Sequence, residues 1–234
     1  MPRANRYFVP GKLYHLTHRC HDREFLFRFA RDRDAYRQAL WSSLRQAQIW
    51  VLAYCITCNH IHLLVRSETT DAVSRWMQQL EGEFAQAYNR RKRRSGAFWG
   101  DRFHCTMVEG GEYLWRCMVY IELNMVRAGV VKHPAEWPWC SYQEWAGVRR
   151  RYRVIQPAEC LSLCGAANAG AFRSQYERLI EDRLARDMVR EPEWTESIAV
   201  GSRAFVEEIA PTILSRQQLE RVPCGADAWV LRET

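Results

Sequence analysis

The sequence lacks a long apolar run, a leader-like N-terminus and a disulfide framework. Hydrophobic residues make up 47% of its 234 residues, but no stretch approaches the roughly 18 consecutive apolar residues that a membrane-spanning helix needs. The first residues, MPRANRYFVPGKLYHL, do not have the basic-then-apolar layout of a secretory signal. Nine cysteines form an odd, scattered set, so most should be reduced thiols. We therefore expect a cytoplasmic protein without a membrane partner.

Acidic residues are outnumbered by basic ones. The chain has 27 Asp and Glu against 34 Lys and Arg, a formal net charge of +7, with basic runs at 89–94 (NRRKRR) and 149–153 (RRRYR). Clustered cations favour a polyanionic partner because they release counterions from phosphates, although a solvated face has the same composition. The first run supplies five candidate contacts to such a partner: Arg90, Arg91, Lys92, Arg93 and Arg94.

The apolar patterns predict a β-α-β-β-α-β order followed by a third helix. The order fits an α+β, ferredoxin-like fold: a four-stranded antiparallel sheet with helices on one face. We expect this domain in residues 1–130, an irregular Trp- and Pro-rich linker in 131–164, and a C-terminal helical extension in 165–234 as an accessory region. The expected strands lie at 12–20, 49–56, 60–65 and 102–109, and the helices at 31–48, 73–88 and 111–127.

The predicted hairpin at 53–65, AYCITCNHIHLLV, carries two pairs of possible metal ligands. His60 and His62 alternate with apolar residues, so both imidazoles should lie on one face of a strand. Two imidazoles on one face indicate a divalent metal site whose third ligand comes from another element. A structural zinc that also uses Cys55 and Cys58 is disfavoured, because no backbone path aims both thiols at the point that the histidines share.

The third helix, EYLWRCMVYIELNMVR at 112–127, has one polar stripe. At about 100° per residue, Arg116, Asn124 and Arg127 fall within about 40° of Tyr120. A core tyrosine would lie among the apolar residues, so this stripe favours contact with a phosphodiester. We predict that Asn124 is the third metal ligand and that Tyr120 is a nucleophile. Its phenol, with an unperturbed pKa of ~10, then needs help from a cation, an arginine or a base.

Five segments between residues 11 and 142 resemble a known family: GKLYHLTHR, LAYCITCNHIHLLV, FWGDRFH, YIELNMVRAGVV and HPAEWPWCSY. They are similar to the single-tyrosine transposases of the HUH endonuclease superfamily, named for His, hydrophobic, His. The likeness is greatest to the branch of REP-associated tyrosine transposases. Two departures are Thr57 and Cys58, where many relatives have Met-Pro, and Met125, where NPVRAG has proline. We expect Met125 to lengthen or straighten the helix end.

The resemblance implies a specific chemistry. By this resemblance, His60, His62 and Asn124 bind Mg²⁺ or Mn²⁺, and Tyr120 becomes joined to a 5′ phosphate. The free 3′ hydroxyl can reverse the reaction on another strand. The implied partner is single-stranded or hairpin DNA, with no small-molecule substrate, and the protein is a monomer or homodimer, nucleoid-associated when bound to DNA. Three more residues are expected to contact the DNA: Arg102, Arg116 and Arg127.

Three other functions stay open at this point. One is a non-catalytic nucleic-acid-binding regulator of the same fold. It is disfavoured because HIHLLV has no aromatic residue on which bases could stack and RFHCTMVE has only Phe103. Another is a zinc-stabilised regulatory module built on Cys55 and Cys58, which would hold tight, stoichiometric zinc rather than loosely bound Mg²⁺ or Mn²⁺. The third is a domesticated transposase that cuts DNA but is no longer mobile.

Overall fold

Four antiparallel strands form the core of the computed structural model. The structure describes residues 6–45, 47–186, 188–215, 217–225 and 227–234. These strands lie side by side in the order β2-β3-β1-β4, and each neighbouring pair is antiparallel. Their bounds are β1 (Leu13–Arg19), β2 (Ile49–Ile56), β3 (His60–Ser67) and β4 (His104–Val108).

Two helices cover one face of this sheet. They are α1 (Ala30–Ser43), between β1 and β2, and α2 (Ala72–Lys92), between β3 and β4. Buried apolar residues of α2 recur at helical spacing from Val73 to Phe84, which gives the helix a continuous contact stripe. The hydroxyl of Tyr36 in α1 donates to Glu81 Oε1 in α2 at 2.8 Å. Together with the strand order, this packing confirms the predicted ferredoxin-like core.

The next helix packs on the opposite face. Side chains three residues apart on a strand point to opposite sides of a sheet. On β1, His18 lies beside Glu81 of α2, whereas His15 packs against Tyr120. Tyr120 belongs to α3 (Glu112–Glu122). The sheet therefore separates the α1 and α2 layer from the side chains predicted to do chemistry.

The expectation of one helix from 111 to 127, lengthened or straightened by Met125, is wrong. Leu123 leaves the helical range (φ −80°, ψ 5°), and a short α4 (Asn124–Arg127) follows. The break is mild, because Leu123 N still donates to Val119 O at 3.0 Å and Arg127 N to Leu123 O at 2.9 Å. Tyr120 and Asn124 consequently stay close to one helical turn apart.

The C-terminal region enlarges the sheet to seven strands in the order β2-β3-β1-β4-β5-β7-β6. The extension predicted as helical thus contributes strands as well, and β5 runs parallel to β4. Its strands are β5 (Ala199–Gly201), β6 (Leu219–Cys224) and β7 (Ala228–Glu233). Its helices are α7 (Ala169–Leu184), α8 (Glu193–Glu196) and α9 (Arg203–Ile209).

The Trp- and Pro-rich segment protects the other edge of the sheet. It contains two short α-helices, α5 (Tyr142–Trp145) and α6 (Pro157–Leu163), and a 3-10 helix at Pro134–Glu136. Ile56 N donates to Trp139 O at 2.9 Å, and Ser141 N donates to Tyr54 O at 2.9 Å. These bonds satisfy backbone groups of β2 that an open sheet edge would leave unpaired. Within the ranges that the structure describes, no helix has the length and apolar character to cross a bilayer.

Candidate active site

The turn between β2 and β3 positions the first predicted metal ligand. Thr57 Oγ1 accepts from His60 N at 3.0 Å and from Asn59 N at 3.3 Å, and it donates to His60 O at 2.7 Å. The side chain of His60 is fixed through Nδ1, which lies 2.7 Å from Asn59 Oδ1. Because an amide oxygen accepts, Nδ1 carries the proton and Nε2 of a neutral His60 keeps its lone pair. Thr57 thus builds the turn without the Met-Pro of many relatives.

A chain of hydrogen bonds fixes the second ligand. His15 Nδ1 lies 2.7 Å from Trp194 O, so it donates to that carbonyl. Burial lowers the pKa of His15 to about 3, so the ring is neutral at pH 7 and its Nε2 accepts. Its partner is His62 Nδ1, 2.8 Å away, which must therefore donate. His62 is in turn left with a lone pair on Nε2, where Asn124 Nδ2 donates at 2.8 Å.

The two imidazoles are close enough to share one ion. The His60 and His62 ring centroids are 4.8 Å apart, with an interplanar angle of 76°. Burial is the main cause that lowers the pKa of both rings, and the nearby Arg19 and Arg127 lower it further. Both histidines are therefore neutral at pH 7, which is the form that binds metals.

Tyr120 lies against the same cluster. Its ring centroid is 5.9 Å from that of His62 and 5.8 Å from that of His15, and its side chain is only 9% exposed. The Arg127 guanidinium sits 4.0 Å from the ring centroid and donates to Tyr120 O at 2.7 Å. Burial raises the pKa of Tyr120, and the positive charge of Arg127 opposes that rise. Four residues from three segments thus converge: Tyr120, His60, His62 and Asn124.

The structure adds site residues that the sequence analysis did not identify. His15 lies in the quoted GKLYHLTHR segment, and its pairing through β1 with Leu64 of β3 puts it on the same face as His62. Strand alternation could have indicated it. Trp194, whose carbonyl holds His15, has no such signal, because α8 reaches the site only through the C-terminal fold. Trp194 also lies beside Tyr120, with ring centroids 6.1 Å apart.

The predicted DNA-contacting arginines are not all placed alike. Arg127 is at the cluster itself, whereas exposed Arg116 lies 3.9 Å from Glu112 on the outer side of α3. Arg102 lines a cleft of about 710 Å³ that also borders Thr17, a neighbour of His62. The cleft has a basic lining with some acidic groups: Arg19, Arg23, Arg102 and Arg190, with Asp22, Asp101 and Glu196.

Carboxylates partly neutralise the basic run at the end of α2. Arg91 Nη2 and Lys92 Nζ pair with the buried Asp32 at 2.7 and 3.0 Å. Arg94 Nη2 pairs with Glu24 Oε2 at 3.2 Å. The remaining two cations of the run, Arg90 and Arg93, are exposed. The run is therefore a weaker electrostatic feature than its composition indicates.

The donor set fits a divalent cation. His60 and His62 each have an Nε2 lone pair, and rotating the Asn124 amide would place Oδ1 beside His62 Nε2. Imidazole nitrogens combined with a neutral oxygen leave coordination positions open for phosphate oxygens or water. In the described ranges no group of three or more His, Cys, Asp and Glu side chains could hold a metal ion, so among these residues a third ligand beside the two histidines is of another type. An amide such as Asn124 is of that type.

Residues 9–124 match the family model described as "Transposase IS200 like". The chain belongs to this family of transposases, which confirms the resemblance seen in its motifs. It is accordingly a DNA-cleaving and rejoining enzyme. The matched residues include all four converging side chains of the site.

Two known proteins are similar to this chain. It is 28% identical over 155 residues to a Haemophilus influenzae protein provisionally named a REP-associated tyrosine transposase, covering 61% of this chain and 86% of that protein. It is also similar to a solved REP-associated tyrosine transposase bound to a REP hairpin. That match has a TM-score of 0.55 and 19% identity, and it covers 67% of this chain and 94% of the solved one. The structural likeness independently confirms the fold.

Proposed function

We propose that this transposase is a metal-dependent single-stranded DNA endonuclease and strand transferase that acts on hairpin-forming repeats. The observation that carries the proposal is the convergence of Tyr120 with His60, His62 and Asn124 from separate segments. The name and bound hairpin of the two relatives support REP-like hairpin DNA as the substrate class. We assign the catalytic domain to residues 1–130, the linker to 131–164 and the accessory region to 165–234.

His60, His62 and Asn124 would hold Mg²⁺ or Mn²⁺. When bound, the ion supplies Lewis-acid polarisation of the scissile phosphate and stabilises charge on the departing oxygen. The chain prepares this site by keeping both imidazoles neutral and by holding the His62 Nε2 lone pair 2.8 Å from the Asn124 amide. Arg127, stacked on the tyrosine ring, adds a fixed positive charge close to the phosphate.

The proposed reaction exchanges one phosphodiester for another. The Tyr120 oxygen attacks phosphorus and loses its proton, the bond from phosphorus to the 3′ oxygen breaks, and that oxygen leaves with the electron pair and takes up a proton. The 5′ phosphate is then esterified to Tyr120. Attack by a 3′ hydroxyl reverses the step, so rejoining needs no external nucleotide. Because burial raises the pKa of Tyr120, the phenol enters the reaction protonated and Arg127 stabilises the phenolate as it forms.

The test is formation of a covalent adduct. Labelled hairpin DNA from the flanks of the protein's own gene is incubated with the protein and Mn²⁺ and analysed under denaturing conditions. We expect an adduct with the wild type and none with Tyr120→Phe, which should still bind the DNA. Tyr113→Phe is the matched control. Tyr113 lies on the same helix, but its hydroxyl donates to Asp227 O at 2.6 Å and is not part of the cluster. An undiminished adduct in Tyr120→Phe would refute the assignment.

A further inference from the structure

We propose that the loop between β1 and α1 is a second DNA-contact surface, which stacks unpaired bases of the substrate on Phe25 and Phe29. This surface, the Phe25–Phe29 patch, consists of the two phenylalanines together with Arg23, Arg28 and Arg31. The inference rests on the proposed function, because it gives the substrate DNA a binding surface away from the reacting phosphate.

The patch exposes two large aromatic side chains to solvent. Phe25 is 65% exposed and Phe29 is 50% exposed, although the loop between them contains the fully buried Phe27. The guanidinium carbons of Arg28 and Arg31 lie 5.6 and 5.5 Å from the Phe29 ring centroid. Aromatic side chains interleaved with cations are the pattern of surfaces that bind single-stranded nucleic acid.

The loop is rigid enough to present these rings in fixed positions. Phe27 packs in the aromatic core, with its ring 5.3 Å from that of Tyr36. Arg33 Nη1 donates to Phe27 O at 2.6 Å, and Arg28 N donates to Phe25 O at 3.0 Å, which closes a turn. A surface whose backbone is already ordered loses little entropy when a base stacks on it.

The loop is also connected to the catalytic hairpin. Asn59, which holds His60, donates from Nδ2 to Arg23 O at 3.2 Å, and Phe27 N donates to Cys58 O at 3.0 Å. Arg23 also lines the basic cleft, together with Thr17, whose Oγ1 lies 3.5 Å from His62 Nδ1. A DNA strand that leaves the reacting phosphate through this cleft would therefore pass Arg23 and reach the patch.

Backbone strain marks the junction between the cleft and the patch. Asp22 and Arg23 both have left-handed backbones, with φ of 48° and 58°. Aspartate tolerates this region, but arginine is strained there. The strained turn redirects the chain after β1 and places Arg23 in the cleft while Phe25 faces solvent.

Unpaired bases fit this surface better than a duplex does. Inside a duplex both faces of each base are already stacked, so exposed phenylalanines gain nothing from interior base pairs. A base in a hairpin loop, bulge or single-stranded flank has a free face. The arginines would contact phosphates of either form, so only the aromatic contribution distinguishes the two.

The test measures binding in a Tyr120→Phe background, where the DNA cannot be cleaved. Phe25→Ala, Phe29→Ala and the double variant are titrated with a hairpin that has an oligothymidine loop and a single-stranded flank, and with a blunt duplex of the same stem. We expect the Kd for the hairpin to rise about tenfold for each phenylalanine removed, as for loss of one stacked base. The Kd for the duplex should change less than about twofold.

Matched controls separate stacking from general effects. Val148→Ala and Leu214→Ala remove exposed apolar side chains elsewhere, which are 72% and 94% exposed, and should leave both affinities unchanged. Phe25→Tyr should retain hairpin affinity, whereas Phe25→Leu, which keeps apolar area without a ring face, should lose it. Unchanged hairpin affinity in the double variant would overturn the inference, and so would an equal loss toward the duplex.

The outcome is separable from that of the proposed function. Loss of hairpin affinity in the patch variants, with no adduct from the wild type, would reject the tyrosine chemistry and keep the patch. An adduct from the wild type, with unchanged binding by the patch variants, would support the tyrosine chemistry and reject the patch.

Discussion

Strand β1 carries two histidines that face opposite sides of the sheet and behave differently. On one face His15 Nδ1 donates to Trp194 O at 2.7 Å. On the other, His18 Nε2 lies 2.6 Å from Asp101 O and donates to it. A backbone carbonyl therefore fixes each ring, but through a different nitrogen, and the free nitrogen points to a different partner.

The partners determine what each histidine can do. The free Nε2 of His15 accepts from the imidazole of His62, so the neutral His15 ring fixes the tautomer of a predicted metal ligand. The free Nδ1 of His18 lies 3.6 Å from Glu81 Oε2, a buried carboxylate oxygen. The ring of His18 also stacks on Trp99, with centroids 4.3 Å apart. His15 thus positions a predicted metal ligand, whereas His18 lies beside a buried acid in the core.

The largest effect on stability should come from His18. In His18→Leu the carboxyl of Glu81 loses the imidazole 3.6 Å from its Oε2, and the Asp101 carbonyl loses its donor. Leaving such polar groups without their partner costs up to about 3 kcal/mol, and chemical denaturation should show that loss in the free energy of unfolding. His21→Leu is the control, since His21 is partly exposed beside Asp22, and it should change stability by less than about 0.5 kcal/mol. Equal stability of His18→Leu and wild type would contradict the comparison.

The next effect should be on metal affinity, through His15. In His15→Leu the proton on His62 Nδ1 loses its close acceptor and keeps only Thr17 Oγ1 at 3.5 Å, so His62 can adopt the tautomer that places its proton on Nε2. Loss of such an outer hydrogen bond typically weakens metal binding 10- to 100-fold. Titration of Mn²⁺ by calorimetry or electron paramagnetic resonance measures this directly, without any DNA reaction.

A conservative variant sharpens the same prediction. The side-chain amide of His15→Gln can accept from His62 and donate to Trp194 O, so it should recover most of the Mn²⁺ affinity lost in His15→Leu. A merely structural role for His15 would not distinguish an amide from an apolar side chain in this way. Wild-type Mn²⁺ affinity in His15→Leu would show that the hydrogen-bond chain does not control the site.

Local patterns were sufficient to predict the core fold and the central residues of the site. Strand alternation placed His60 and His62 on one face, and helical periodicity placed Tyr120 and Asn124 on one stripe. Both periodicities are set by backbone geometry alone and need no knowledge of the tertiary fold. The structure brings these residues together, while their assigned catalytic and metal-binding roles stay predictions.

The remaining features depend on contacts between distant segments. Trp194 reaches His15 only because β5 joins the sheet beside β4, and no local pattern marks that pairing. The basic run at 90–94 shows the same limit, since its partner Asp32 is 60 residues from Lys92 and buried. The break at Leu123 was also missed, because the apolar period continues through it. Sequence alone therefore indicated the candidate site residues. It indicated neither the residues that hold them in place nor the carboxylates that neutralise the basic run.

The smallest predicted effect is a pH dependence that arises on the His18 side. Burial raises the pKa of Glu81 above the usual value for a carboxyl, and its contacts with His18 and Tyr36 only partly oppose this. Above the unfolded pKa of about 4.5 the folded state therefore binds more protons than the unfolded state, so this group's contribution to stability falls as pH rises. Glu81→Gln keeps an acceptor for Tyr36 without the charge. It should be about 1 kcal/mol more stable than wild type at pH 8, with the difference vanishing near pH 4, where Glu81 is protonated in both states.

Denaturation of Glu81→Gln and wild type across this pH range tests the sign of the difference. A Glu81→Gln variant less stable at pH 8 would show that the pair with His18 outweighs the burial of the charge, and the two histidines of β1 would then differ less than their neighbours indicate.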